Sequence, residues 1–173
     1  MDIQTSAPAA PKRLDIKTFL RAHAGELALV ACTLAADRAS KVWAQSALAG
    51  TAGITVLPFF HLSYVENTGT AFGLLSGANA FFIIFTLAVL AFLAWNWRQF
   101  TEQAGGYAAP ALIASGALGN LYDRIFIGKV IDFLDFRVWP VFNIADSCIC
   151  IGAALLALKL LRRDHPAAEE KNR

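Results

Sequence analysis

The sequence predicts an all-α integral membrane protein: four transmembrane helices, with a small extracytoplasmic β-cradle between helices 1 and 2. Three observations predict it. The 173 residues are 57% hydrophobic and only 16% charged, where an average soluble domain is about a quarter charged. Mean hydropathy is +0.50. Apolar stretches recur at the length of a bilayer crossing, about 20 residues. A chain this long suits one domain. The expected organisation is a single membrane domain over 1–173, with a cytoplasmic segment 1–26, a four-helix core 27–162 and a cytoplasmic tail 163–173.

The first 26 residues are polar and basic, with Lys12, Arg13, Lys17 and Arg21. A cleavable signal peptide places a short apolar core and a small-residue cleavage site soon after its basic region. Here the apolar run starts only near Leu27 and ends in charged residues, so it reads as a retained anchor. It extends to about Leu48, interrupted by Asp37, Arg38 and Lys41. The second span, Ala78 to Trp97, has no charge. The third, Ala104 to Tyr122, is rich in small residues such as Ala108, Ala111, Ser115 and Gly119. Small residues let helix backbones approach closely, which predicts a central position. The fourth, Val141 to Leu161, is apolar except for Asn143, Asp146 and Lys159.

Lys and Arg near the span ends set the orientation. They flank both chain ends, Arg98 lies in the short loop after the second span, and the segment 49–77 has none. Both termini and Arg98 are therefore expected in the cytoplasm, and 49–77 outside; the last loop, with Arg124, Lys129 and Arg137 offset by Asp123, Asp132 and Asp135, must then also lie outside. Within 49–77, Ile54, Val56, Phe60, Leu62 and Tyr64 alternate with a strand period. Pro58 interrupts the run, which suggests an edge strand or a bulge. Asn67, Thr68 and Gly69 then supply turn chemistry.

Ionisable groups in or beside spans cost several kcal/mol unless paired or wet. Asp37 and Lys41 lie i and i+4 on one helix face, in the favourable order for an ion pair. They form either a structural bridge or a brace for a ligand. Asn120, Asp123 and Arg124 share the outer end of the third span, as a self-satisfied cap or as ligand contacts. Asp132 sits in the apolar run Val130-Ile131-Asp132-Phe133, and Asp146 shares a helix face with Asn143. Two carboxylates in one dry site hold one proton between them, because both cannot ionise there. Such a pair can activate a water, the ionised carboxylate as base and the protonated one polarising a carbonyl. It can equally serve as a proton or cation relay, so a small ion-coupled carrier is the alternative. Carriers tend to show internal repeats, and none is visible.

The same residues carry a resemblance. Asn67-Thr68-Gly69-Thr70-Ala71-Phe72-Gly73 is similar to N-x-G-A-A-F-G of the lipoprotein signal peptidases, also called signal peptidase II. Gly116 to Arg124 resembles that family's G-G-A-x-G-N-x-x-D-R, with Ser115 at its first glycine. Val130 to Phe133 resembles V-V-D-F, Phe142 to Ser147 resembles F-N-x-A-D-S, and Asp37 to Lys41 resembles D-x-x-[ST]-K. Together these motifs span about 30 to 160. The resemblance implies an aspartyl endopeptidase of the bacterial inner membrane that cuts diacylglyceryl-modified prolipoproteins just before the lipidated cysteine. It implies catalytic Asp132 and Asp146, and substrate-binding Asn67, Gly69, Asn120, Arg124 and Asn143. Asp37, Lys41 and Asp123 become supporting residues. Expected partners are the precursor, membrane lipid and globomycin-type inhibitors.

Composition excludes other classes. A net charge of +2, spread along the chain, does not suggest nucleic acid. Cys32, Cys148 and Cys150 lie in apolar stretches without a CxxC pair or a Cys/His cluster, which argues against a disulfide framework or zinc. No metal, no organic cofactor and a monomer are expected.

Overall fold

A computed structural model of the chain describes residues 16–69 and 79–163. The polar termini, 1–15 and 164–173, lie outside the described residues, as does 70–78 with the second half of the first motif, Thr70-Ala71-Phe72-Gly73.

Helix α1 (Ile16–Ala22) leads into α2 (Ala24–Leu48), which fills the first predicted span. Helix α3 (Asn79–Trp95) fills the second, then bends by 72° into α4 (Trp97–Ala104). Gly105 and Gly106 follow with φ of 66° and 148°. L side chains rarely adopt such angles, so these glycines stop the helix. The third predicted span is corrected by this break: it starts four residues late, as α5 (Ala108–Phe126). Helix α6 (Ile144–Arg163) supplies the last. Among the described residues, Ile144–Leu161 is the one helix long and apolar enough to cross a membrane alone. The α1–α2 and α3–α4 pairs reach that standard only when each bent pair is taken together.

Helix α5 holds its place by packing. It makes its most extensive contacts with α6 and also meets α2 and α3. A Cβ on Gly116 would press into the Ala145 carbonyl of α6. A Cβ on Gly152 would stand 2.7 Å from the Ala109 carbonyl of α5. The two helices approach this closely because glycine faces backbone on both sides.

Strands β1 (Ile54–Leu57), β2 (Phe60–Asn67) and β3 (Val130–Asp135) form one antiparallel sheet in that order. Two expectations are corrected. Pro58 and Phe59 make a turn, so the alternating run is a hairpin and not one strand. The cradle does not come only from the segment between the first two spans, because β3 follows α5. The β-branched and aromatic residues around Asp132 suit a strand, and β3 pairs with β2 on the side away from β1, which leaves β2 central. The β2–β3 register slips between Leu62 and Val65. Beyond that bulge Val65 faces Asp132 and Asn67 faces Val130, which brings Asn67 beside Asp132. Phe133 seats the sheet against Ala44 and Leu48 of α2, with Leu62, Tyr64 and Ile144 around it.

Candidate active site

The seam between the sheet, α5 and the start of α6 gathers side chains from widely separated segments. Asn143 is fully buried at its centre. Its amide Nδ2 donates to Asp132 Oδ1 at 2.7 Å and to Asn120 Oδ1 at 3.1 Å. Its Oδ1 accepts the Asp146 N–H at 2.9 Å, and its own N–H donates to Asp146 Oδ2 at 3.2 Å. That reciprocal pair is a capping box, with an asparagine at the cap and an aspartate three residues on. It begins α6 and also fixes Asp146. The second orphan N–H of the helix, on Ala145, donates to Asp37 Oδ1 at 2.9 Å.

Each aspartate is gripped twice. Asp132 Oδ2 accepts from Asn67 Nδ2 at 2.9 Å, in addition to Asn143. Asp146 Oδ1 accepts from Asn120 Nδ2 at 2.7 Å. Asn67 is itself oriented, because its Oδ1 accepts the Gly69 N–H at 3.0 Å in a side-chain turn. Asp132 is 2% exposed, whereas Asp146 is only partly buried and marks the open side of the site. Burial pushes the Asp132 carboxyl up to about 6 and the Asp146 charge adds to this, against the opposing Asn67 and Asn143 donors.

Behind this pair lies a second buried cluster. Lys41 Nζ lies 2.9 Å from Asp37 Oδ2 and 2.8 Å from Asp123 Oδ2, and it donates to Asn120 Oδ1 at 3.0 Å. Lys41 has no exposed surface, so it can brace the site but cannot touch a ligand. Arg38 joins from outside, with Nη1 donating to Asp123 Oδ1 at 3.0 Å. The expected single face of Asn120, Asp123 and Arg124 is divided. Asn120 and Asp123 turn inward, and Arg124 remains half-buried with its guanidinium 5.1 Å from the Phe82 ring centroid. Its charge nevertheless acts on Asp146 and Asp132. The Asn79 amide of α3 donates to the Arg124 carbonyl at 2.9 Å.

Sequence reasoning paired Asn143 with Asp146 by face but missed the capping box, although N-x-x-D before an apolar run is its signature. It also passed over Arg38. That residue's spacing to Lys41 gave no reason to single it out, and its partner lies 85 residues away.

The raised Asp132 value has a consequence for stability. A carboxyl at about 6 when folded, against 3.8 ordinarily, favours the fold fully below about pH 4, and that contribution is lost as pH rises through 6. Asn cannot ionise, so Asp132→Asn should unfold at nearly the wild-type temperature near pH 4. Above pH 6 it should be more stable, by up to about 3 kcal/mol. Thermal unfolding in detergent at both pH values checks this. An equal offset at both would show that ionisation of Asp132 is not what strains the site.

The family model described as Signal peptidase (SPase) II matches residues 29–162. A lipoprotein signal peptidase of Halothermothrix orenii is 50% identical over 105 residues, covering 61% of this chain and 72% of the relative. One from Geobacter metallireducens is 39% identical over 151 residues, covering 82% and 93%. A solved bacterial membrane enzyme superposes with a TM-score of 0.70 at 28% identity, covering 87% of this chain and 93% of its own. A second superposes at 0.69 with 30% identity, covering 80% and 94%.

Proposed function

The chain belongs to the signal peptidase II family, and from that premise we infer that Asp132 and Asp146 are the catalytic pair of an aspartyl endopeptidase. The protein is a protease that removes signal peptides from prolipoproteins, in the bacterial inner membrane. A proton-coupled carrier is not favoured by these relatives. The observation that carries the catalytic reading is the double grip of Asn143, which donates to both carboxylates at once, at 2.7 and 3.2 Å.

The chemistry follows from that arrangement. One proton resides on the pair, which titrates as a unit. The ionised carboxylate takes a proton from water as the oxygen attacks the scissile carbonyl. The protonated carboxyl donates to the carbonyl oxygen as its charge grows. Collapse of the tetrahedral adduct breaks the C–N bond, and the new amine takes up a proton from the pair. No residue of the protein becomes covalently attached. Asn67, Asn120 and Asn143 keep both carboxylates in place, and Arg124, with the Asn67-to-Gly69 turn, holds the substrate backbone. The fully buried Lys41, with Asp37 and Asp123, fixes the bundle behind them.

The substrate is a precursor whose lipobox cysteine already carries diacylglycerol, and the cut falls just before that cysteine. Its lipid stays in the bilayer while the scissile bond reaches Asp146 from the open side. In this reading the chain crosses the membrane four times, keeps both termini in the cytoplasm and presents the sheet outside. It acts as a monomer, and globomycin-type peptides occupy the substrate path.

Purified protein should cleave a diacylglyceryl-modified precursor and leave the same precursor with an unmodified cysteine intact. Equal rates on both would overturn the lipid requirement. Arg124→Ala and Asn67→Ala should each weaken globomycin binding and slow cleavage by about ten- to hundredfold, the worth of one hydrogen bond to a charged or tightly held group. Wild-type affinity together with no turnover in Arg124→Ala would instead place Arg124 in the chemical step.

A further inference from the structure

A groove of about 490 Å³ lies outside the catalytic seam, where α2 meets α5. That volume is in the range of small-ligand sites, roughly 300–1,000 Å³. Leu34 on α2 and Leu118, Leu121, Ile125 and Phe126 on α5 line it. Leu118, Leu121 and Ile125 recur at three- and four-residue spacing, with Phe126 beside them, so they form one stripe. Leu118, Ile125 and Phe126 remain exposed, and Phe126 is 71% exposed. No other part of the described chain covers the stripe, and in a membrane-embedded bundle its neighbours are lipid chains.

Asp37, Arg38, Gly119 and Tyr122 also line the groove and change its character, with the Asp37 carboxylate held by Lys41 at 2.9 Å. The Arg38 guanidinium lies 5.2 Å from the Tyr122 ring centroid, and its side chain is 38% exposed. Its one carboxylate, Asp123, is shared with Lys41 at 2.8 Å. A guanidinium has five N–H donors in a fixed fork. The contacts above engage one nitrogen and one face. An arginine at the lipid boundary is costly unless it is paired or reaches water or a headgroup, and Asp123 pairs only one nitrogen of Arg38. Asp123 lies in the last turn of α5, which ends at Phe126, so Arg38 stands level with the end of that helix. The fork suits phosphate oxygens better than any neutral lipid group.

We propose that the groove holds an acyl chain of an anionic phospholipid, with the lipid phosphate on Arg38. The apolar stripe receives the chain, and the uncommitted donors of Arg38 receive the headgroup. The site is independent of the catalytic assignment and rests only on the membrane embedding of α2 and α5.

The test uses full-length protein in nanodiscs of phosphatidylcholine doped with phosphatidylglycerol, followed by native mass spectrometry of the lipid retained on release. Wild type should retain phosphatidylglycerol over phosphatidylcholine by about tenfold, as expected for one hydrogen-bonded contact to a charged group. Arg38→Gln keeps a donor for Asp123 but loses the charge, and it should show no preference. Leu118→Trp leaves Arg38 intact and fills the groove, and it should retain neither lipid. Leu118 is exposed, so this variant tests the groove even if Arg38→Gln fails to fold. An unselective wild type would overturn the proposal, as would Leu118→Trp that still retains phosphatidylglycerol. Displacement of the phospholipid, one for one, by diacylglyceryl-modified precursor would overturn it too, because the groove would then belong to the substrate's own lipid.

Discussion

Asp132→Asn and Asp146→Asn should each lower kcat by on the order of 10³- to 10⁴-fold, and the double variant should be hardly worse than either single one. Non-additivity is the telling part. If the two carboxylates share one proton and act on one water, removing either disables the same step. A second removal then has nothing left to abolish. Asn is nearly isosteric, and each neutral amide still accepts one of the hydrogen bonds at its position, from Asn67 or Asn143 at 132 and from Asn120 or the Asn143 N–H at 146. Loss of turnover would therefore reflect lost proton chemistry and not a collapsed site. Single-turnover cleavage of a lipid-modified precursor checks the claim. Multiplicative losses in the double variant would mean that the two residues serve separate steps.

Lys41→Met should produce a large loss of stability, unlike the Asp132→Asn change. Lys41 is fully buried and lies within 2.9 Å of both Asp37 and Asp123. Met matches its length but leaves two buried carboxylates with only Arg38 to balance them. Removing one partner of a buried ion cluster costs on the order of 3–5 kcal/mol. The damage spreads, because Asp37 also caps α6 at Ala145 and Asn120 Oδ1 loses one of its two donors, keeping only Asn143. Adding Asp37→Asn to Lys41→Met should restore part of the stability, since it removes the uncompensated charge while keeping an acceptor for Ala145. Thermal unfolding in detergent reads both variants. A double variant less stable than Lys41→Met alone would show that charge balance is not what the cluster supplies.

Much of this arrangement is legible in the chain. The apolar runs around α2, α3 and α6 stand out because lipid demands about 20 consecutive apolar residues. Polar residues inside apolar runs are conspicuous for the same reason, which is why Asp37, Lys41, Asn143 and Asp146 could be singled out, as could Asn120 in the small-residue run of α5 and Asp132 in the short apolar run Val130 to Phe133. What periodicity cannot carry is contact across the fold. The third strand was hidden because Val130 to Asp135 is buried along nearly its whole length, and a buried strand shows no alternation. The start of α5 was misplaced because composition runs smoothly through Ala104, whereas the positive φ angles of Gly105 and Gly106 break the helix. Asn143 read as one polar residue among several. Its place as the link between both carboxylates depends on the β2–β3 bulge and on the glycine-faced approach of α5 and α6. Arg124 was grouped with Asn120 and Asp123 by helical spacing. A rotation of one residue, about 100°, is enough to leave its guanidinium over Phe82 while they turn to Lys41.

The most direct test of the central claim is to measure globomycin affinity and precursor turnover on one purified sample of Asp132→Asn, beside wild type. Affinity should stay within about threefold of wild type, a change under 1 kcal/mol, because Asn keeps the size of Asp132 and still accepts one of its two hydrogen bonds. Turnover should fall to the limit of detection. Turnover near the wild-type rate in a variant that binds the inhibitor normally would contradict it.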